Sequence, residues 1–290
     1  MTKSILFCYA HPDDELGVVP LVTRYAAEAG AYTTLICTTD GDVGTVDPEF
    51  LKNYASITEL RLAELDAATK AAGFSEVVAF GYRDSGMMGS ADNEHPDCSW
   101  QAPLEEVTQR VVEVMRRVRP QVVVTFNTFG AYGHPDHIKI NQATLAAFQQ
   151  LQSEPDHPQK LYYTTGPKAL FSLMVTLMRL RGKDPRKAGR NHDTDLVAAL
   201  DATDAATTKV AVARYLAPSW KAMDCYPSQV QMPPLVRRFR KILGSLLQGS
   251  VALVRVYPEP RLGDKLERDL FADTTDVAVH HGVPEEPSKK

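Results

Sequence analysis

The chain has 290 residues, of which 44% are hydrophobic and 23% charged, and a net charge of −4. That length allows one large domain with a sizeable core. It carries no global basic field that would draw nucleic acid, and no apolar run approaches the roughly 18–20 residues of a membrane span, so neither partner is expected. The apolar run before residue 11 is too short for a signal-peptide core. The four cysteines (Cys8, Cys37, Cys98, Cys225) form no paired motif, which fits buried free thiols in a reducing, cytoplasmic setting.

The first half alternates strand and helix patterns. Ser4 to Ala10 is an apolar run suited to a strand covered on both faces. Leu16 to Ala29 has helical spacing and stops at Gly30. Thr33 to Thr39 reads as a strand, Ile57 to Ala72 as a helix, Val77 to Tyr82 as a strand and Leu104 to Val118 as a helix. Val122 to Phe126 is β-branched and strand-like, Asp136 to Leu151 is helical, and Lys160 to Thr165 is a fifth strand. Beyond these, Leu170 to Leu180 has helical spacing, Leu196 to Leu200 reads as a strand, Thr207 to Leu216 as a helix, Pro218 to Gln229 as a polar segment and Val251 to Tyr257 as a late strand. The pattern predicts an α/β, Rossmann-like fold, a mostly parallel sheet with helices on both faces, plus a smaller irregular C-terminal lobe. The expected division is a core over 1–165, a C-terminal part over 166–279 that completes the same domain and the substrate pocket, and a disordered tail over 280–290.

Ligands bind such sheets beyond the carboxyl ends of the strands. Two unusual clusters fall there. Ala10-His11-Pro12-Asp13-Asp14-Glu15 follows the first strand, and Tyr132-Gly133-His134-Pro135-Asp136-His137 follows the fourth. Charges crowded at the end of a buried strand are costly unless compensated, and a divalent metal is the simplest compensation. Zinc hydrolases use three nitrogen or oxygen ligands and leave a position open for water. Adjacent Asp13 and Asp14 suit a division into one ligand and one base. His134 is a candidate donor to an oxyanion, with Asp136 as partner to its other ring nitrogen. The plainer alternative is that Asp13, Asp14 and Asp136 simply cap helices. Two His-Pro-Asp clusters on one predicted edge weigh against it.

At these residues the chain resembles the LmbE-like, PIG-L-type zinc-dependent deacetylases of N-acetylglucosaminyl compounds. That group includes the mycothiol and bacillithiol biosynthesis deacetylases and mycothiol S-conjugate amidase. The AHPDDE hallmark matches residues 10–15 and the GHPDH hallmark residues 133–137. Gly81 to Met87, Lys221 to Gln229 and Glu267 to Ala272 are similar to further family segments. The resemblance implies His11, Asp14 and His137 as metal ligands for Zn2+, with Fe2+ the alternative, and Asp13 as general base. It implies that His134 stabilises the oxyanion, protonates the leaving amine, or both, with Asp136 as its partner. Tyr132 would be a mobile donor to the tetrahedral intermediate. Arg61 and Asp84 would line the substrate pocket, with Asp84 on a sugar hydroxyl.

The expected activity is therefore metal-dependent hydrolysis of an N-acyl group, most simply N-acetyl, from an amino-sugar-containing small molecule. The alternatives are an amidase of a thiol-sugar conjugate and a non-catalytic sugar-binding module; magnesium-dependent phosphoryl transfer fits two histidine ligands poorly. A homo-oligomer is compatible with the sequence. Two departures from the family pattern stand out: Tyr226, where many members carry histidine, and the Asp40 to Gly44 loop (DGDVG), where a glycine-glutamate pair is common. The basic loop Arg181 to Arg190 reads first as a solvated, mobile loop; the alternative, that it overhangs the pocket, would suit an anionic substrate group. Met87-Met88 reads as loop packing, and Arg237 to Lys241 as a solvated basic run.

Overall fold

The computed structural model describes residues 3–166, 168–189, 191–230 and 249–276. Its sheet has seven strands: β1 (Ser4–Tyr9), β2 (Tyr32–Thr39), β3 (Glu76–Tyr82), β4 (Val122–Thr125), β5 (Lys160–Thr164), β6 (Thr208–Ala211) and β7 (Ser250–Tyr257). They are ordered β3-β2-β1-β4-β5-β7-β6. The first five run parallel, and β7 is antiparallel to both β5 and β6. The helices between parallel strands are α1 (Val19–Ala29), α2 (Ile57–Ala72), α3 (Leu104–Val118) and α5 (Pro135–Leu151), with a single broken turn, α4 (Gly130–Gly133), before α5. From β1 the chain builds outward to β2 and β3, then returns to build β4 and β5 on the other side. Right-handed crossovers therefore place the two sets of helices on opposite faces. Accordingly β1 and β4 are buried along their whole length. The direction of building reverses between β1 and β4, and a crevice opens at that switch point.

Helix ends follow local chemistry. Ser56 caps α2 by accepting from the Glu59 amide at 3.1 Å. α3 packs on α5, while α1 and α2 pack on α8 (Leu216–Asp224).

The second half differs from expectation in two places. Leu196 to Leu200 is not a strand but α7 (Leu196–Asp201), because Asp195 accepts from the Val197 and Ala198 amides and caps a helix there. Thr207 to Leu216 is not a helix. It forms β6, then a 3-10 turn (Ala213–Tyr215) that leads into α8. Thr208 and Val210 are buried while Lys209 and Ala211 face out, a period of two that pairing with β7 exploits and that outweighs helix propensity. The polar segment Pro218 to Gln229 is helical as far as Asp224. The helical spacing from Leu170 becomes α6 (Lys168–Leu180). Arg237 to Lys241 and the expected tail over 280–290 lie outside the described residues. No helix among the described residues is long and apolar enough to cross a membrane.

Glu267 ties the antiparallel strands to the parallel sheet. Its carboxylate accepts from Lys160 Nζ at 2.5 Å, Tyr162 Oη at 2.7 Å and Thr208 Oγ1 at 2.8 Å. Two residues on, Asp269 accepts from Tyr25 Oη at 2.9 Å, so the Glu267 to Ala272 segment serves the fold rather than the cleft. Replacing Glu267 with Ala leaves the Lys160 ammonium buried and unpaired. The expected loss is about 3–5 kcal/mol, measured by urea denaturation.

Candidate active site

After β1 the chain turns at Pro12 into a 3-10 turn, Asp14–Gly17. Asp13 takes φ 103°, a left-handed conformation that costs a non-glycine residue about 1–3 kcal/mol. Its side chain caps nothing, so the capping alternative fails for this residue. Two braces hold the strained turn. From α2, Arg61 donates to the Pro12 carbonyl and to the Gly41 carbonyl (3.2 Å), and its guanidinium lies 3.3 Å from Asp13 Oδ1. Gly41, at φ +66°, and Gly44 leave that guanidinium its space; a Cβ at Gly44 would lie 2.8 Å from Arg61 Nη1. From the C-terminal half, Tyr226 Oη donates to Glu15 Oε1 at 2.8 Å, while Glu15 Oε2 accepts the Asp13 amide at 3.1 Å. Burial raises the Glu15 carboxyl to about 8, against the lowering effect of the Tyr226 bond.

The loop after β4 is also tightly constrained. Gly130 has φ +66°, and a Cβ there would collide with His137 Cβ at 2.9 Å. His134 caps α5, its Nδ1 accepting the Asp136 amide at 3.3 Å. That bond leaves the proton on Nε2, which faces Asp84 at 3.8 Å. The His137 ring stacks on Phe126, with centroids 3.9 Å apart and an interplanar angle of 3°. Its Nδ1 lies 3.2 Å from the Gly130 carbonyl, so Nδ1–H donates there and Nε2 turns toward the first cluster.

The two clusters meet at the switch point. His11 Nδ1 lies 3.0 Å from His137 Nε2. Asp14 closes the triangle, with Oδ2 3.4 Å from His11 Nδ1 and Oδ1 3.3 Å from His137 Nε2. Ligand bonds of about 2.0–2.2 Å in a tetrahedral site place neighbouring donor atoms roughly 3.3–3.6 Å apart. Two imidazole nitrogens facing each other beside a carboxylate are thus a donor set spaced for a metal ion. Two further groups lie close enough to hold one: His11, His134 and His137, and His11, Asp84, His134 and Asp136. Some donors are already engaged in every set: Asp14 Oδ2 accepts the Ala10 and His11 amides at 3.2 and 2.7 Å. His134 Nδ1 accepts the Asp136 amide. Both Asp136 oxygens accept from Ser85, Oδ2 from its amide at 2.9 Å and Oδ1 from its hydroxyl.

Asp136 is fully buried. Its carboxylate is 3.2 Å from His11 Nε2 but 3.8 Å from His134 Nδ1. The sequence reading paired it with His134; in the structure it engages His11, on the ring nitrogen opposite the metal-facing one. Ser85, which holds Asp136, and Asn93, which donates to the Ser85 carbonyl, had no signal beyond the loop similarity.

These neighbours set the charges. Burial disfavours the His11 imidazolium, but Asp84, Asp136 and Asp14 outweigh it and raise its pKa well above the ordinary value. Burial likewise opposes the Asp14 carboxylate, yet His137 and His11 hold its pKa well below the usual range. Asp84 is lowered in the same way, by His11 and His134 acting against burial. His134 is pushed down to about 2 by burial and by the neighbouring imidazoles, so it is neutral. Asp13 is raised to about 7, chiefly by burial and against the pull of Arg61, although 29% of its side chain still meets solvent.

The site opens into a cleft of about 590 Å³. His11, Asp13, Arg61, Asp84, Tyr132 and His134 line it, with Met87, Met88 and Gln229. The loop after α6 reaches it through Asn191, Asp193 and Thr194. The basic side chains of Arg181 to Lys187 are not among the lining residues, and the wall that this loop contributes is polar and acidic.

The family model described as PIG-L, GlcNAc-PI de-N-acetylase, matches residues 6–148. A 1D-myo-inositol 2-acetamido-2-deoxy-alpha-D-glucopyranoside deacetylase of Thermobifida fusca is 35% identical over 291 residues, spanning 93% of this chain and 99% of that protein. The chain belongs to the PIG-L family. This PIG-L protein is accordingly a hydrolytic enzyme of the de-N-acetylase class. Two solved structures share its fold. One is a conserved protein from Thermus thermophilus, with TM-score 0.56 and 22% identity over 93% of this chain and all of that one. The other is a 4-carboxy-2-hydroxymuconate hydratase from Pseudomonas putida, with TM-score 0.56 and 17% identity over 91% of this chain and all of that one. The hydratase shows that the fold serves other chemistry, so the activity of the PIG-L chain has to be read from its site.

Tyr226→Phe removes one donor to the buried Glu15. Stability is expected to fall by about 1–3 kcal/mol in urea denaturation. Tyr226→His, which restores a donor of the type common in the family, is expected to lose less.

Proposed function

We propose that this protein removes the N-acetyl group from an N-acetylglucosaminyl small molecule, with His11, Asp14 and His137 holding a zinc ion and Asp13 acting as general base. The observation that carries the reading is the convergence of His11 Nδ1, His137 Nε2 and Asp14 to within 3.0–3.4 Å beside the cleft-facing Asp13. The substrate class is supported by the name of the Thermobifida fusca relative, a deacetylase of a glucosaminyl-inositol compound. Two imidazoles and one carboxylate suit zinc. Ferrous iron takes the same donors, and metal analysis of the purified protein separates the two.

When bound, the ion polarises the acyl carbonyl and acidifies a water. Asp13 takes the proton of the attacking water. His134, a neutral imidazole, donates its Nε2–H to the oxyanion of the tetrahedral intermediate. With Nδ1 held by the Asp136 amide, His134 offers only Nε2–H to the cleft, and the proton for the leaving amine returns from Asp13. The Tyr132 phenol, kept protonated because burial raises its pKa, is the second donor in the cleft. Asp136 orients His11 through Nε2 and leaves Nδ1 for the ion. Arg61 positions Asp13 rather than the substrate, since its guanidinium is committed to Pro12, Gly41 and Asp13. Asp84, ionised on the cleft wall, accepts a sugar hydroxyl.

Acetate release from N-acetylglucosaminyl conjugates by the metal-loaded protein tests the reading; no release from any of them sinks it. Asp13→Asn is expected to retain the metal and to lose about 10²–10⁴ in kcat. Because Asp13 works ionised, kcat/KM is expected to fall by about tenfold per unit on an acidic limb lying below the value of about 7 that its carboxyl takes without an ion. A bound cation moves this limb to lower pH, and Asp13→Asn abolishes it. Asp136→Asn is expected to weaken metal affinity about 10–100-fold in chelator competition.

A further inference from the structure

Twelve large apolar side chains are exposed among the described residues, and five of them lie on α6: Leu170, Leu173, Met174, Leu177 and Leu180. Their spacing of 3, 1, 3 and 3 residues places them on a single helix face. Val175 is buried on this helix and Phe171 and Met178 are half-buried beside it, so α6 anchors along one edge and turns the five exposed side chains outward. Isolated exposed leucines are ordinary, but a contiguous stripe marks a binding surface.

Charge identifies what the surface meets. Residues 168–189 hold six cations and one acid, in a chain whose net charge is −4. Arg186 pairs with Asp195 at 3.0 Å. Arg179, Arg181, Lys183 and Lys187 are exposed and make no ion pair among the described residues. An apolar helical stripe followed immediately by free cations suits the boundary of an anionic lipid layer, where the stripe enters the acyl region and the cations meet headgroups. Outside residues 168–189 the chain has a net charge of −9, so this stretch is far more basic than the rest taken together. A second copy stacked stripe to stripe with its helix parallel would bring two strongly basic stretches together.

We propose that α6 docks this protein reversibly on an anionic lipid surface. The stretch that follows α6 runs on into Asn191 and Asp193 of the cleft wall, so the catalytic cleft is tethered close to that surface. The inference rests on α6 and its charges, and stands apart from the reading of the cleft.

The test is co-sedimentation of the full-length protein with vesicles of phosphatidylcholine alone or mixed with phosphatidylglycerol, at low and high salt. Binding is expected to be at least about tenfold stronger to the mixed vesicles at low salt, and weaker at high salt. The double variant Leu173→Glu, Leu177→Glu is expected to lose about tenfold of that binding, with an unchanged circular dichroism spectrum and unchanged acetate release from a soluble substrate. Arg181→Glu with Lys183→Glu is expected to lose the preference for phosphatidylglycerol. Three results would overturn the proposal: no difference between the two vesicle types, binding undiminished in the leucine variant, or a dimer in light scattering that the leucine variant dissolves, which assigns the face to a second copy.

Discussion

The site depends on one constraint: three imidazoles and three carboxylates share a buried space in which none would be tolerated alone. His11 is its centre. One ring nitrogen faces His137 and Asp14; the other faces Asp136 and Asp84. Each neighbour is fixed in turn, Asp136 by Ser85, His137 by Phe126 and Gly130, and His134 by the first turn of α5. Desolvated charges of this kind are stable only as a set. On the proposed reading, a cation at the point where His11 Nδ1, His137 Nε2 and Asp14 converge would complete the set.

The strained backbone at Asp13 belongs to the same design. A relaxed residue there would direct its carboxylate into the helix start as a cap, which is what the position suggests from sequence. The left-handed turn instead presents it to the cleft. Arg61 and the Glu15–Tyr226 pair supply the restoring contacts, one from the N-terminal half and one from the C-terminal half. This gives Glu15 and Tyr226 a shared role, and it gives the Asp40 to Gly44 loop a steric reason for its glycines.

Much of this was legible in the sequence, and the exceptions have physical causes. The parallel strands announce themselves because burial on both faces forces continuous apolar runs. The two His-Pro-Asp clusters stand out because such residues are improbable at buried strand ends. Thr207 to Leu216 shows no strand signal because a four-residue edge strand with two inward side chains carries little periodicity, and its pairing with β7 is decided by tertiary context. Asp136 illustrates a different limit. Sequence proximity pairs it with His134, two residues away, whereas the turn at the start of α5 swings its carboxylate toward His11, which is 125 residues distant in the chain. Contacts across a switch point leave no local trace.

The placement of the two clusters on β1 and β4 also bears on how the protein is assembled. β1 pairs with β2 across a short crossover, but its pairing with β4 joins residues 117 apart in sequence. Such long-range pairing carries a larger loop-closure cost than the local one. His11 and His137 therefore come together only once β4 has inserted beside β1. An ion held between them, as proposed, would favour chains that have completed this insertion, and so would act as a latch on the central seam of the sheet.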